Sequence, residues 1–168
     1  QYKPFNNGTP FRLQETMRQP ATGGKFFRFT FKKTVGNIVL QLSEIQLLDA
    51  DGNNVARGLT KAANGTAATA LSAGSFADGG SYSYGNNEGS DKLFDDNPDT
   101  KMCAPGNNMA GDAANYRAFT LRLADEAAPV CRYNFVTAND FVNRSPCDWL
   151  VEGSEDGVTW TPLDERTN

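Results

Sequence analysis

Five short runs of alternating apolar and polar residues, each closed by Gly, Pro, Asn or Asp, set the limits on what this chain can fold into. They are "KFFRFTF" (25–31), "NIVLQLSEIQLLD" (37–49), "YRAFTLRLA" (116–124), "PVCRYNFVTAND" (129–140) and "CDWLVEGSEDGVTWTPLD" (147–164). Side chains along a strand point to opposite faces, so a period of two reads as half-buried strands and not as helices. Many short strands with this punctuation predict an antiparallel β-sandwich or barrel. Val39, Leu42, Ile45 and Leu47 are expected in the core, "DADGN" (49–53) in a turn, and Asp156-Gly157 in a hairpin turn from which Trp160 returns to the core. Residues 56–90, rich in Ala, Gly, Ser and Asn, read as a long surface excursion.

At 168 residues the chain is one domain of ordinary size. A net charge of −4 with scattered Lys and Arg gives no concentrated basic face, which argues against nucleic acid as a partner. The apolar runs are strand-sized, so no transmembrane segment is expected. Histidine is absent, which removes Ser-His-Asp triads, Cys-His pairs and His-ligated zinc. Cys103, Cys131 and Cys147 allow at most one internal disulfide, of unspecified pairing. Carboxylate pairs such as Asp95/Asp96 and Glu152/Glu155 sit too close in sequence to face each other across a sugar, so the chain is not expected to be an enzyme. Asn-x-Ser/Thr sequons at Asn7, Asn64 and Asn143 give weak support to secretion in a chain of this composition.

The stretch "KLFDDNPDTKMC" (92–103) crowds Asp95, Asp96, Asn97, Asp99 and Thr100 together. Clustered carboxylates need a cation, a helix N-terminus or solvent. Composition alone favours a solvated turn in which Asp99 or Asn97 caps a short helical turn.

Taken together, "FFRFTF…IVLQLSEIQLLDADGN", "GSDKLFDDNPDTKMC" and "SPCDWLVEGSEDGVTWTPLD" resemble the factor V/VIII type C, or discoidin, family, which overlaps with galactose-binding-like carbohydrate-binding modules of bacterial secreted enzymes. The last of these matches the family's Pro-x-x-Trp-x-x-x-Gly-Ser-x-Asp-Gly-x-x-Trp hairpin position by position. The match covers residues 25–55 and 88–166 well and 56–87 poorly. It implies an all-β jelly-roll sandwich over residues 25–168, after an N-terminal extension or linker over 1–24. It also implies a noncatalytic, extracellular or cell-surface binding module whose loops at one end take a glycan or other cell-surface ligand.

The resemblance further implies that "LFDDNPDT" wraps a structural calcium ion. The ligands would be Asp95, Asn97, Thr100 and Glu44, with carbonyls from Lys92 or Phe94. Such a hard-oxygen set suits Ca²⁺, which takes 6–8 oxygens at roughly 2.3–2.6 Å.

Sugar binding pairs an aromatic face with Arg, Asn or Asp hydrogen bonds. By that chemistry Tyr82, Tyr84 and Asn86 in "GGSYSYGNNEGSD" (79–91), and Asp140, Phe141, Asn143 and Arg144 in "NDFVNRS" (139–145), are the candidates. The opposing reading has Tyr82 and Tyr84 plugging the sandwich end, and Arg144 pairing with Asp140 across its own turn.

In resembling sequences a stretch like "FNNGTPF" follows the Trp hairpin, whereas here "PFNNGTPF" stands at 4–11. Residues 1–13 are therefore expected to fold back onto their own sandwich, to complete a neighbouring subunit in head-to-tail self-association, as in an extracellular filament or surface layer, or to mark a cut within tandem repeats. The polar segment 12–24 reads as the connecting linker.

Overall fold

The computed structural model describes residues 12–16, by their backbone, together with 24–106 and 108–168. Eleven strands are present among them: β1 (Arg12–Thr16), β2 (Phe26–Thr34), β3 (Leu40–Leu42), β4 (Glu44–Leu48), β5 (Thr60–Lys61), β6 (Ser75–Asp78), β7 (Met102–Ala104), β8 (Arg117–Arg122), β9 (Arg132–Val136), β10 (Pro146–Ser154) and β11 (Thr161–Arg166). The only helical elements among these residues are single 3₁₀ turns, as at Ser90–Leu93 and Val142–Arg144. The chain is an all-β sandwich of mostly antiparallel strands.

One sheet has the order β11-β10-β2-β8-β6-β5, a second β1-β9-β4, and β3 pairs with β7 as a short ribbon. Every pairing is antiparallel except β5 with β6. The alternation in β2 sends Phe27, Phe29 and Phe31 inward, and its neighbours present Phe119 and Leu121 from β8 and Trp149 and Val151 from β10. From the opposite sheet Tyr133 and Phe135 of β9 meet them: Phe135 lies 5.1 Å from Phe31 and 5.3 Å from Trp149 between ring centroids. Burying each such side chain contributes about 1.5–3 kcal/mol, and edge-on ring contacts add to that. A hydrogen-bonded chain crosses this core, with Trp149 Nε1–H donating to Tyr133 Oη and Tyr133 O–H donating to Asp164 Oδ2.

The structure departs from the sequence reading in four places. The run 37–49 is two strands, β3 and β4, in different sheets. Residues 40–49 are all buried, so both faces are covered and a period of two does not describe them. Leu42, Ile45 and Leu47 are core as expected, Leu40 joins them, and Val39 is only half-buried.

Residues 56–90 supply β5, β6 and the buried anchors Leu59, Leu71 and Phe76. Small residues pass close to the sheet while a few large ones enter the core, which composition alone does not distinguish from a surface loop. Trp160 is half-buried on the outer face of the six-stranded sheet, its ring 4.3 Å under the Arg28 guanidinium. The connection between β10 and β11 runs from 155 to 160, so a tight turn does not set which side Trp160 faces.

Residues 12–16, read as linker, form β1 and pair with β9 of the same chain. Residues 1–11 lie outside the described residues.

Candidate functional site

The carboxylate-rich loop 95–100 is held at both ends by burial. Leu93 and Phe94 are buried before it, with Phe94 packed 4.6 Å from Phe76, and Met102 of β7 is buried after it. Between these anchors the chain turns tightly, with Asp96 at φ +57°. Asp95 Oδ1 accepts the Asn97 N–H, Asp95 Oδ2 accepts the Thr100 hydroxyl at 2.7 Å, and Asn97 Oδ1 accepts the Asp99 N–H.

Glu44 opens β4 beneath the loop with its side chain fully buried. Its Oε1 accepts the Asn97 N–H at 2.9 Å, and its Oε2 has no hydrogen-bond partner. Burial, contact with the Asp95 carboxyl and the nearby charges of Asp95 and Asp96 push the Glu44 carboxyl up to about 9, against the opposing bond from Asn97 N–H. Two carboxylates in contact, one of them buried, need a shared proton or a cation between them.

Glu44, Asp95, Asn97 and Thr100 are joined here by hydrogen bonds, the Asn97 N–H donating to Glu44 and Asp95 and the Thr100 hydroxyl to Asp95. Among the described residues no three His, Cys, Asp or Glu side chains form a metal-holding group. Beyond two carboxylates, a cation here would therefore take amide, hydroxyl and carbonyl oxygens, the donors Ca²⁺ accepts. Of the two carbonyls expected, that of Phe94 already accepts the Gly58 N–H at 2.7 Å. Lys92 brings its ammonium to 3.7 Å from Asp95 Oδ2.

The two candidate ligand loops meet at β7. Gly85 N–H donates to the Cys103 carbonyl and Cys103 N–H to the Glu88 carbonyl, which seats the 79–91 loop. Lys101 then bridges the loops, 2.7 Å from Asp140 Oδ1 and 3.7 Å from Glu88 Oε1.

Gln41 of β3 lies underneath, its Nε2 donating to Asp140 and its Oε1 accepting from Arg144 Nη1 at 3.1 Å. Burial works against the charge on Asp140, but the hydrogen bonds from Lys101 and Gln41 prevail and hold its carboxyl below the usual range.

Phe141 is 58% exposed and sits at φ +44°, a left-handed conformation costly for a bulky residue. The Arg144 guanidinium stacks 4.0 Å over its ring, with the Arg144 Nε buried and unpartnered. Arg144 is therefore placed by Gln41 and Phe141, and its anticipated pairing with Asp140 is replaced by the Lys101–Asp140 contact. Asn143 is exposed, with its carbonyl accepting the Gly36 N–H at 2.7 Å, and Asn86 is exposed on the neighbouring loop.

Tyr82 and Tyr84 are committed to the fold. The Tyr82 hydroxyl accepts the Ala118 N–H at 2.9 Å and its ring lies 4.4 Å under Arg117. Tyr84 donates to Asp78 Oδ2 at 2.7 Å, while Lys61 pairs with the same oxygen at 3.0 Å. Burial raises both phenols above their ordinary range. They plug the sandwich end, which leaves Phe141 as the exposed aromatic of the cluster.

Sequence reasoning missed Gln41 and Lys101. Gln41 carried a signal, being the polar residue inside "IVLQL" in a strand buried on both faces. Lys101 carried none. All three cysteines are free, with Cys103 and Cys147 buried.

No family model matches the chain, and no solved structure matches it. A peptide-N(4)-(N-acetyl-beta-glucosaminyl)asparagine amidase of Arabidopsis thaliana is 40% identical over 47 residues, 27% of this chain and 6% of that protein. The match thus spans a small fraction of that relative's length.

Proposed function

We propose that this chain is a noncatalytic extracellular or cell-surface module that binds carbohydrate through the Phe141 loop, with calcium as a structural ion in the 95–100 loop. The observation that carries the reading is Phe141. Its exposed ring is kept in a strained backbone conformation beside an Arg and a carboxylate that are each positioned from below. An aromatic face suits the C–H side of a sugar, and Arg144, Asp140 and Asn86 suit its hydroxyls.

The calcium part is supported by the contact of the buried Glu44 carboxyl, one of whose oxygens has no hydrogen-bond partner, with the Asp95 carboxyl in a loop that also carries Asn97 and Thr100. The ion would stabilise the loop by mass action and would not polarise a ligand. The name of the amidase relative refers to a sugar linked to asparagine, which agrees with a glycan-related role without assigning one.

A glycan array probed with the whole chain, followed by calorimetry on the hits, tests this. Retention of at least one glycan, with affinity reduced about tenfold or more in Phe141→Ala, is the expected result. A chain that retains no glycan, or binds equally well without the ring, would sink the reading.

A further inference from the structure

A second cleft, of about 360 Å³, opens beside the 95–100 loop between β4 and the 49–54 turn, and it shares no lining residue with the Phe141 cluster. Three carboxamides line it, and each has one end used by the fold. Gln46 Oε1 accepts from Asn134 Nδ2 at 3.1 Å, which leaves Nε2 as a donor. Asn54 Oδ1 accepts the N–H groups of Leu47 and Ala56, which leaves Nδ2, 3.5 Å from Asp96 Oδ1. Asn53 Nδ2 donates to Asp49 Oδ2 at 3.0 Å, which leaves Oδ1 as an acceptor.

Arg57 and Asp96 complete the set as a loose pair at 3.7 Å, the Arg57 side chain 69% exposed. Gly52 at φ +85° lets the turn close beneath them.

We infer that this cleft is a second binding site, for a neutral polyhydroxylated ligand such as one or two sugar units. Each sugar hydroxyl both donates and accepts, and the cleft offers fixed donors and acceptors from planar groups side by side. The Asp96 carboxylate disfavours an anion, Arg57 disfavours a cation, and the polar lining disfavours an apolar ligand. The volume lies at the lower end of the range for small-molecule sites. No aromatic ring lines the cleft, so affinity is expected to be weak, on the order of millimolar. This inference does not depend on the Phe141 reading.

The test is amide NMR on the full chain, titrated with the methyl glycosides of glucose, galactose, mannose and N-acetylglucosamine, with glucuronate as an anionic control. Saturable shifts of the Gln46, Asn53 and Asn54 side-chain amides are expected with at least one neutral glycoside, in wild type and Phe141→Ala alike, and weakened about fivefold or more in Arg57→Ala. No saturable shift up to about 100 mM, shifts that vanish in Phe141→Ala, indifference to Arg57→Ala, or tighter binding of glucuronate would each overturn it.

Discussion

The buried carboxylate of Glu44 accepts the backbone N–H of Asn97 at 2.9 Å, so the first residue of β4 fixes the middle of the 95–100 loop. The other oxygen of the same carboxylate has no hydrogen-bond partner, and the Asp95 carboxyl is in contact with Glu44.

Glu44→Gln should therefore separate cation binding from folding. In wild type, calcium at about a hundredfold excess over its Kd should add about 2.7 kcal/mol of stability, seen as a higher Tm than in chelator. The variant should lose most of that gain. In chelator it should melt no lower than wild type, because the amide keeps an acceptor for Asn97 and, like the protonated Glu44 carboxyl of the cation-free state, places no charge beside Asp95. A calcium-dependent Tm that survives the substitution would rule Glu44 out as a ligand.

Phe141→Asn should abolish glycan binding without lowering Tm. Asn adopts the left-handed region far more readily than Phe, and relief of that strain is worth about 1 kcal/mol. Because the ring is mostly exposed, little packing is lost with it. Calorimetry and thermal melts on one preparation check both halves. A marked fall in Tm would make Phe141 a structural residue.

Much of the fold was legible because β2, the Phe119 strand and the Trp149 strand each bury one face and leave the other partly exposed, which writes a period of two into the sequence. Where both faces are covered, as at Leu40–Leu48, or where small residues skirt the sheet, as at 56–90, that pattern disappears. The 95–100 loop stood out because its Asp, Asn and Thr are contiguous, but those residues alone read as a solvated turn, and the contact with Glu44 comes from a strand some fifty residues earlier. The Phe141 site was legible only in part, since Gln41 and Lys101 come from β3 and the loop before β7, and their meeting with Asp140 depends on strand pairing that no local pattern encodes.

Lys101 joins the two ligand loops through Asp140 and Glu88, so Lys101→Met should weaken glycan binding about five- to tenfold with a small change in Tm. Losing the ammonium should also let the Asp140 carboxyl rise, so binding by the variant should fail at a higher pH than in wild type as the solution is acidified. Affinity measured across pH in both proteins decides this. Parallel profiles would mean that Lys101 does not set the state of Asp140.

Thiol titration should find one fast-reacting cysteine in the folded chain. Cys103 and Cys147 are buried and burial raises both thiols, Cys147 to about 11, so neither presents thiolate at neutral pH. Cys131 is half-buried. Cys131→Ser should remove the fast phase, and denaturant should release all three thiols from the wild type. A fast phase that persists in the variant would contradict the burial of the other two.

Asp156 supplies the acid-sensitive point of the β10–β11 connection. Its Oδ1 accepts the N–H groups of Thr159 at 2.7 Å and Val158 at 2.8 Å, and Ser154 donates to the same oxygen. These bonds, that from Thr159 foremost, hold the carboxyl down at about 2 in the folded chain, against an ordinary value of 3.8. The folded state thus releases this proton more readily than the unfolded chain, so the stabilisation is complete above the unfolded value and is lost as pH falls through the window from about 3.8 to about 2. Asp156→Asn should lower Tm at neutral pH, and the difference from wild type should shrink steadily across that acid window. A mutational effect that stays constant with pH would show that the connection is held by Gly157 and its neighbours and not by the charge on Asp156.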